Sequence, residues 1–321
     1  ENGTEIVPIE FYYTEITNEN VNKWEAIKFL IKKLNIRAEE VMAIGDNIND
    51  KKMIENYLNK IINGNCVEVM KQLPDNSINL VVTSPPYDNL RTYKGYTFPF
   101  EDIVIELYRI IKEGGIVVWV VSDATINGSE TCTSFKQALT FVEKGFRLHD
   151  TMIFQKANPV PQIYRKRYTN VFEYMFVFSK GAVATHNPIK IPCLHAGLEL
   201  KGTTYKNYSK GEQSRTKLAN PVKAEKLKGN IWEYVVGKKA VDQEAKKHPA
   251  PFPYGLALDH IKSWTNEGDI VIDPMCGSGT TCVAAMDLKR KYIGIDISEE
   301  YCKIAEDRIN IHKNNEPSLF D

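Results

Sequence analysis

Apolar and polar positions along the chain follow the two periods of a mixed α/β protein. Residues 7–16 (V-P-I-E-F-Y-Y-T-E-I) predict a strand, and 23–34 predict an amphipathic helix with Ala26, Ile27, Leu30 and Ile31 on its apolar face. A short buried strand is predicted at 41–44, then the turn G-D-N-I-N-D and a helix from about Lys51. A new pattern begins near Asn63. The strand Ile78–Thr83 runs into Ser84-Pro85-Pro86-Tyr87, where two prolines stop any further pairing. A helix over 100–112 ends at Gly114-Gly115, and 116–121 is a fully apolar strand. A helix over 135–143 closes at Gly145, with strands at 151–155 and 173–179. Further on come a helix over 253–264, a strand at 270–273, a G-S-G turn, a helix over 280–288, a strand at 292–296 and a helix over 299–310. Apolar strands alternating with helices imply a doubly wound, Rossmann-like α/β sheet covered on both faces.

Charge divides the chain further. Lys plus Arg and Asp plus Glu both total 41, yet the balance hides an asymmetry. Residues 1–58 hold 7 cationic against 11 acidic side chains, whereas 180–247 hold 14 against 6. The second stretch, where periodicity fades, includes K-G-T-T-Y-K-N-Y-S-K-G-E-Q-S-R-T-K. It reads either as a solvated insertion or as a nucleic-acid surface, with cations for phosphates and Tyr or Asn for bases. No apolar run approaches the roughly 18–20 residues of a membrane span, and the first residues lack a signal-peptide plan. The six cysteines (66, 132, 193, 276, 282, 302) form no C-x-x-C pair. That pattern argues against a zinc site or a disulfide scaffold and suits a reducing cytoplasm.

Candidate chemistry sits on two strand ends. Asp273-Pro274-Met275-Cys276-Gly277-Ser278-Gly279-Thr280-Thr281 joins a strand to a helix, so its glycines let the backbone approach a ligand at a helix N-terminus. It lacks the G-K-[ST] of a phosphate-binding loop. The next strand ends at Asp296, about 20 residues past the glycines, where a carboxylate can hold ribose hydroxyls. This geometry serves NAD and S-adenosylmethionine equally, so by itself it names a nucleoside ligand and not a reaction.

The stretch from about Asn63 to His312 resembles the bacterial DNA amino-methyltransferases, which modify an exocyclic base nitrogen. S-P-P-Y matches that family's catalytic tetrapeptide, D-P-M-C-G-S-G-T-T its cofactor loop, and Y-I-G-I-D-I-S its ribose-binding strand. K-H-P-A-P-F-P, 247–253, is similar to the segment entering the cofactor pocket. Gly64-Asn65-Cys66 with L-P-D-N-S is similar to the lead-in to the catalytic strand. Asn65 stands where Asp is usual, and Met275 where Phe is usual. The catalytic loop precedes the cofactor loop with the basic stretch between them, which is the permuted order of the family's beta group. The resemblance implies a catalytic half over 59–184, a target-recognition insertion over 185–246, a cofactor half over 247–313 and a tail over 314–321.

It also implies roles. Asn65, Cys66, His248, Pro249, Phe252, Asp273, Pro274, Met275, Cys276, Gly277, Ser278, Gly279, Thr280 and Asp296 are expected around S-adenosylmethionine, with no metal required. Ser84, Pro85, Pro86 and Tyr87 are expected to act on the base. The amine lone pair is delocalised into the ring, so two acceptors, the Ser84 side chain and the Pro85 carbonyl, draw its hydrogens and aim the nitrogen at the sulfonium methyl. Tyr87 offers a face on which a flipped base can stack. Lys206, Lys210, Arg215 and Lys217 are expected on double-stranded DNA, with a cognate restriction endonuclease as a conceivable partner. Ser at the head of the tetrapeptide leans to cytosine N4, with adenine N6 the alternative and a silent DNA-binding module a remote third. Pro192-Cys193 is similar to the Pro-Cys pair of ring-carbon methylases, but it falls in the wrong order, and an amine target needs no thiol.

Residues 1–58 resemble the C-terminal half of a haloacid dehalogenase-type phosphatase. Lys23, Asp46 and Asp50 match that family's phosphate-orienting lysine and magnesium-holding aspartates. Its nucleophile motif D-x-D-G-T is absent from the chain, so no aspartyl-phosphate can form. The segment is expected to be an inactive remnant with a vestigial magnesium site. Its acidic balance argues against DNA contact.

Overall fold

The computed structural model describes residues 53–86, 98–161, 166–199, 203–207, 213–217, 221–237, 242, 244–245 and 253–315. Compactness divides the chain into Glu1–Glu55 and Asn56–Asp321. The two strands and the helix expected within 1–50 lie outside the described residues, as do Lys23, Asp46 and Asp50.

The second unit is built on one eight-stranded sheet. Its members are β1 (Lys60–Asn63), β2 (Ile78–Thr83), β3 (Ile111–Val121), β6 (Arg147–Lys156), β7 (Phe172–Ser179), β12 (Ile231–Tyr234), β13 (Ile270–Asp273) and β14 (Lys291–Asp296). Their order is β1-β14-β13-β2-β3-β7-β6-β12. β7 runs antiparallel to both neighbours and every other pairing is parallel. The helices are α1 (Cys66–Met70), α2 (Phe100–Ile110), α3 (Thr133–Glu143), α4 (Tyr254–Trp264), α5 (Thr280–Asp287) and α6 (Glu299–Asn315). A small hairpin, β4 (Thr125–Ile126) with β5 (Ser129–Glu130), follows β3.

The central strands β2 and β3 are buried along almost their whole length, as continuous apolar runs covered on both faces should be. α2 buries Ile103, Val104, Leu107 and Ile110 and carries Glu101 and Asp102 in its first turn, where acids suit the helix dipole. The sequence predicts this helix to 112, but it ends at Ile110. The amides of Asn76 and Ser77 donate to the carbonyls of Arg109 and Ile110 at 3.0 and 2.8 Å, so the last turn is satisfied and Ile111 enters the sheet opposite Ile78.

The basic stretch carries more regular structure than its composition predicts. β8 (Lys190–Pro192) pairs with β11 (Glu225–Leu227), and β9 (Thr203–Asn207) pairs with β10 (Gln213–Lys217), both antiparallel. β12 also lies within 185–246, yet it extends the main sheet beside β6. It is anchored there by the buried Trp232, whose indole N–H donates to the Gly229 carbonyl at 2.8 Å, and by Tyr234, whose hydroxyl donates to Asp259 at 2.6 Å. Among the described residues no helix is long and apolar enough to cross a membrane.

Candidate active site at the strand switch

Connections leave the sheet in opposite directions at β13 and β2. From β13 the chain passes through α5 to β14 on one side, and from β2 through α2 to β3 on the other. In doubly wound sheets the crevice outside such a reversal is where ligands bind. The two strand tips here are Thr83 and Asp273, and they are tied together. The Thr83 hydroxyl donates to Asp273 Oδ1 at 2.7 Å, and the Met275 amide donates to the same oxygen at 3.1 Å. From the first turn of α5, the Thr281 hydroxyl donates to the Val82 carbonyl at 3.1 Å. Ser84-Pro85-Pro86 begins one residue past Thr83, so its start is pinned to the glycine loop. Ser84 and Pro86 are half-buried and Pro85 is buried, while Tyr87 lies outside the described residues.

Burial dominates the electrostatics of the Asp273 carboxyl and pushes it up to about 6, against the Thr83 hydroxyl and the Met275 amide, which favour the ionised form. The buried Asp273 carboxyl is thus bonded both to the tip of β2 and to the glycine loop. The loop itself turns through left-handed backbone at Gly279 (φ +74°), where a Cβ would meet that of Ala305 on α6 at 2.7 Å. Only glycine lets α6 pack directly on the turn.

Asp296 closes the other side. Its Oδ2 accepts from the Gly277 amide and its Oδ1 from the Ser298 amide, both at 2.9 Å. Burial raises its carboxyl above the ordinary range, and these amides oppose the shift. Each oxygen retains lone-pair capacity, and the side chain is only half-buried, so the donor chemistry suits a ligand presenting adjacent hydroxyls. The lead-in segment reaches the same edge. Asn63 Nδ2 donates to the carbonyls of Asp296 and Ile297 at 3.2 and 3.1 Å, and the Gly64 amide donates to the Asp296 carbonyl at 2.9 Å. Asn65 caps α1 by accepting from the Val67 amide at 2.9 Å, and Cys66 is buried in that helix with its thiol pushed up to about 11 by desolvation.

Pro274, Gly277, Ser278 and Thr280 are buried in the loop and Met275 is half-buried. Cys276 is buried as well. Its sulfur and that of Cys282 would lie 3.2 and 2.7 Å from a Cβ at Gly294, so it packs over that glycine. His248, Pro249, Phe252 and Lys210 lie outside the described residues. Lys206, Arg215 and Lys217 fall on β9 and β10, away from the strand switch in sequence, with Lys206 paired to Ser214 and Arg215 to Tyr205. Cys193 follows β8 in a separate two-stranded sheet. Among the described residues no group of His, Cys, Asp or Glu is arranged to hold a metal ion.

A doubly wound sheet thus brings the Ser84-Pro85-Pro86 segment, the glycine loop and the Asp296 carboxylate to one switch point. A family model described as DNA methylase matches residues 78–307. The orphan methyltransferase M.BamHII of Bacillus amyloliquefaciens is 49% identical over 257 residues, covering 77% of this chain and 95% of that protein. Among solved structures, the PvuII DNA methyltransferase (cytosine-N4-specific) aligns with a TM-score of 0.56 at 19% identity, over 79% of this chain and 90% of that one. The M1.HpyAVI–SAM complex aligns with a TM-score of 0.52 at 23% identity, over 78% and 98%. The chain belongs to the N6/N4 DNA methylase family and is a DNA methyltransferase. A second family model, described as haloacid dehalogenase-like hydrolase, matches residues 1–81. Its last third overlaps α1 and the sheet strand β1, and runs into the sheet strand β2.

Three residues that tie the loop in place escaped the motif reading: Thr281, whose hydroxyl donates to the Val82 carbonyl of β2, and the pair Arg308 and Asp242, which meet at 2.7 Å with the guanidinium also donating to the Ser278 carbonyl. Thr281 stands in the loop motif and could have been suspected. Arg308 lies in an ordinary amphipathic helix and carries no sequence signal.

Proposed function

We propose that this enzyme transfers the methyl group of S-adenosylmethionine to the exocyclic N4 amine of cytosine in duplex DNA, with the base flipped from the helix. The observation that carries the reading is the Thr83–Asp273 hydrogen bond, which joins the Ser84-Pro85-Pro86 acceptors to the glycine loop at the strand switch. When bound, the cofactor supplies an electrophilic methyl on a sulfonium. The loop 274–280 and Asp296 would hold its amino-acid and ribose portions. The Ser84 hydroxyl and the Pro85 carbonyl would accept the two amine hydrogens, concentrating the lone pair on nitrogen for in-line displacement. Both prolines limit loop motion, so the acceptors need little reorganisation.

Ser84 at the head of the tetrapeptide favours cytosine over adenine as the target. The relatives named as type II methyltransferases support a modification role beside a nuclease, whereas the 49% identical relative is named an orphan. The deciding experiment incubates unmodified DNA with the protein and tritiated S-adenosylmethionine, then digests to nucleosides. N4-methylcytosine is the expected product. N6-methyladenine would overturn the base assignment, and no incorporated label would overturn the transfer itself.

A further inference from the structure

Arg308 on α6 is the bulkiest charged side chain among the fully buried ones, with a relative exposure of 1%. Its guanidinium faces two ways. Nη1 donates to the Ser278 carbonyl, to Ser278 Oγ at 3.3 Å and to Thr280 Oγ1 at 3.0 Å. Nη2 donates to Asp242 Oδ2 at 2.7 Å, and Nε lies 3.2 and 3.1 Å from Asp242 Oδ1 and Oδ2. Asp242 in turn accepts from the amide of Ala245 at 2.9 Å, and Ala245 is fully buried. One cation therefore grips the back of the glycine turn with one edge. With the other it fixes the point where the chain leaves the basic insertion, six residues ahead of His248.

This geometry is more than local packing requires. A buried guanidinium is strongly destabilising unless it is paired and its donors are satisfied, and a hydrophobic side chain could have filled the same space. The planar fork fixes both direction and distance, which a point charge would not. Ser278, which it holds, lies within the loop expected to enclose the cofactor.

We propose that Arg308 and Asp242 form a positioning latch that sets the glycine loop in the geometry that binds S-adenosylmethionine. The proposal rests on the reading of the loop as that cofactor's site. Neither residue touches the reacting atoms, so the pair acts on cofactor affinity and leaves the chemical step alone.

Arg308→Met would leave several buried acceptors unpaired and could unfold the protein, so the test is made on Asp242, which is partly exposed. In Asp242→Asn, isothermal titration with S-adenosylmethionine should give a dissociation constant raised about tenfold, while kcat at saturating cofactor stays within about twofold. Hydrogen–deuterium exchange of the cofactor-free full chain should be faster across 276–283. Asp242→Glu, which restores the charge, should recover most of the affinity. Wild-type affinity with unchanged exchange in Asp242→Asn would overturn the latch, as would a fall in kcat without a change in affinity. Failure of the wild-type chain to bind S-adenosylmethionine would sink the functional reading alone, and the exchange comparison would still decide the latch.

Discussion

The cofactor edge and the basic insertion are held in place by different means. At the cofactor edge, Thr83, Asp273, Thr281, Asp296 and Arg308 connect β2, β13, β14 and α6 through buried or half-buried polar groups, each with named partners. In the described parts of the insertion, β8 and β11 pair as two short, largely exposed strands, β9 pairs with β10, and β12 joins the main sheet beside β6. A buried polar network fixes geometry because every misplaced member leaves a desolvated group unpaired. A polar surface of short strands can adapt at small cost. The division would suit the two proposed tasks: chemistry needs acceptors placed to fractions of an ångström, whereas phosphate contacts tolerate adjustment.

The sharpest break of this contrast is at Ser84. Ser84→Ala should lower methyl transfer about 10²–10³-fold, the usual loss for one preorganised partner of developing charge, and leave cofactor affinity nearly intact. Rapid-quench kinetics beside cofactor titration measures both. An equal loss in the two would show that the edge does not separate binding from chemistry.

Next in size is a pH effect at Asp273. Its folded carboxyl sits at about 6 against an ordinary value near 3.8, so the stabilising contribution of its protonated form is complete below about pH 4. That contribution fades as pH rises through 6. Asparagine at this position keeps an oxygen for Thr83 and Met275 without the charge. Asp273→Asn should therefore gain stability relative to the wild type by up to about 3 kcal/mol between pH 4 and pH 7.5. Urea denaturation at the two pH values checks the sign. A difference that does not change with pH would mean that the carboxyl titrates normally in the fold.

The architecture was legible in the sequence wherever one period dominated. The strand Ile78–Thr83 matches its predicted bounds because both of its faces are buried, and the helices after Pro253 fall within a few residues of expectation. β12 was not foreseen. Its I-W-E-Y lies in a basic, glycine-containing stretch, and only the long-range packing of Trp232 and Tyr234 draws it into the sheet. β6 also runs longer than its predicted core, since its first residues gain their pairing from β7 and not from their own polarity. The places of the motif residues, at a tight turn and at strand tips, were legible because such places demand particular residue types. Arg308 and Asp242 were not, because a salt bridge spanning the chain leaves no local pattern.

A smaller effect is expected at Asp296. Asp296→Ala should weaken S-adenosylmethionine binding by roughly 1–3 kcal/mol, the range for losing a hydrogen bond to a charged group. The upper half of that range is favoured by geometry, because the same carboxylate also braces the Gly277 and Ser298 amides. Cofactor titration decides it, and unchanged affinity would remove Asp296 from the site.

The smallest effects belong to the insertion, and they test whether it docks DNA at all. Each single change among Lys206→Ala, Lys210→Ala, Arg215→Ala and Lys217→Ala should weaken duplex binding less than about tenfold near physiological salt. Each should also make the log-affinity versus log-salt slope shallower by about 0.9 if it removes one phosphate contact. Cofactor affinity should not move. Lys71→Ala, at an exposed helix cap, and Lys303→Ala, at an exposed helix position, are remote in sequence from the insertion, serve as controls and should change neither quantity. The β9–β10 register refines the expectation. Arg215 pairs with Tyr205 and Lys217 with Thr203, whereas Lys206 pairs with Ser214, a register position of the opposite parity. Alternate positions of a strand belong to opposite faces, so a hairpin laid flat on the duplex would engage one parity. Arg215→Ala and Lys217→Ala should then shift the slope together while Lys206→Ala shifts it little, or the reverse. Equal slopes for all variants and controls would take target recognition out of this hairpin.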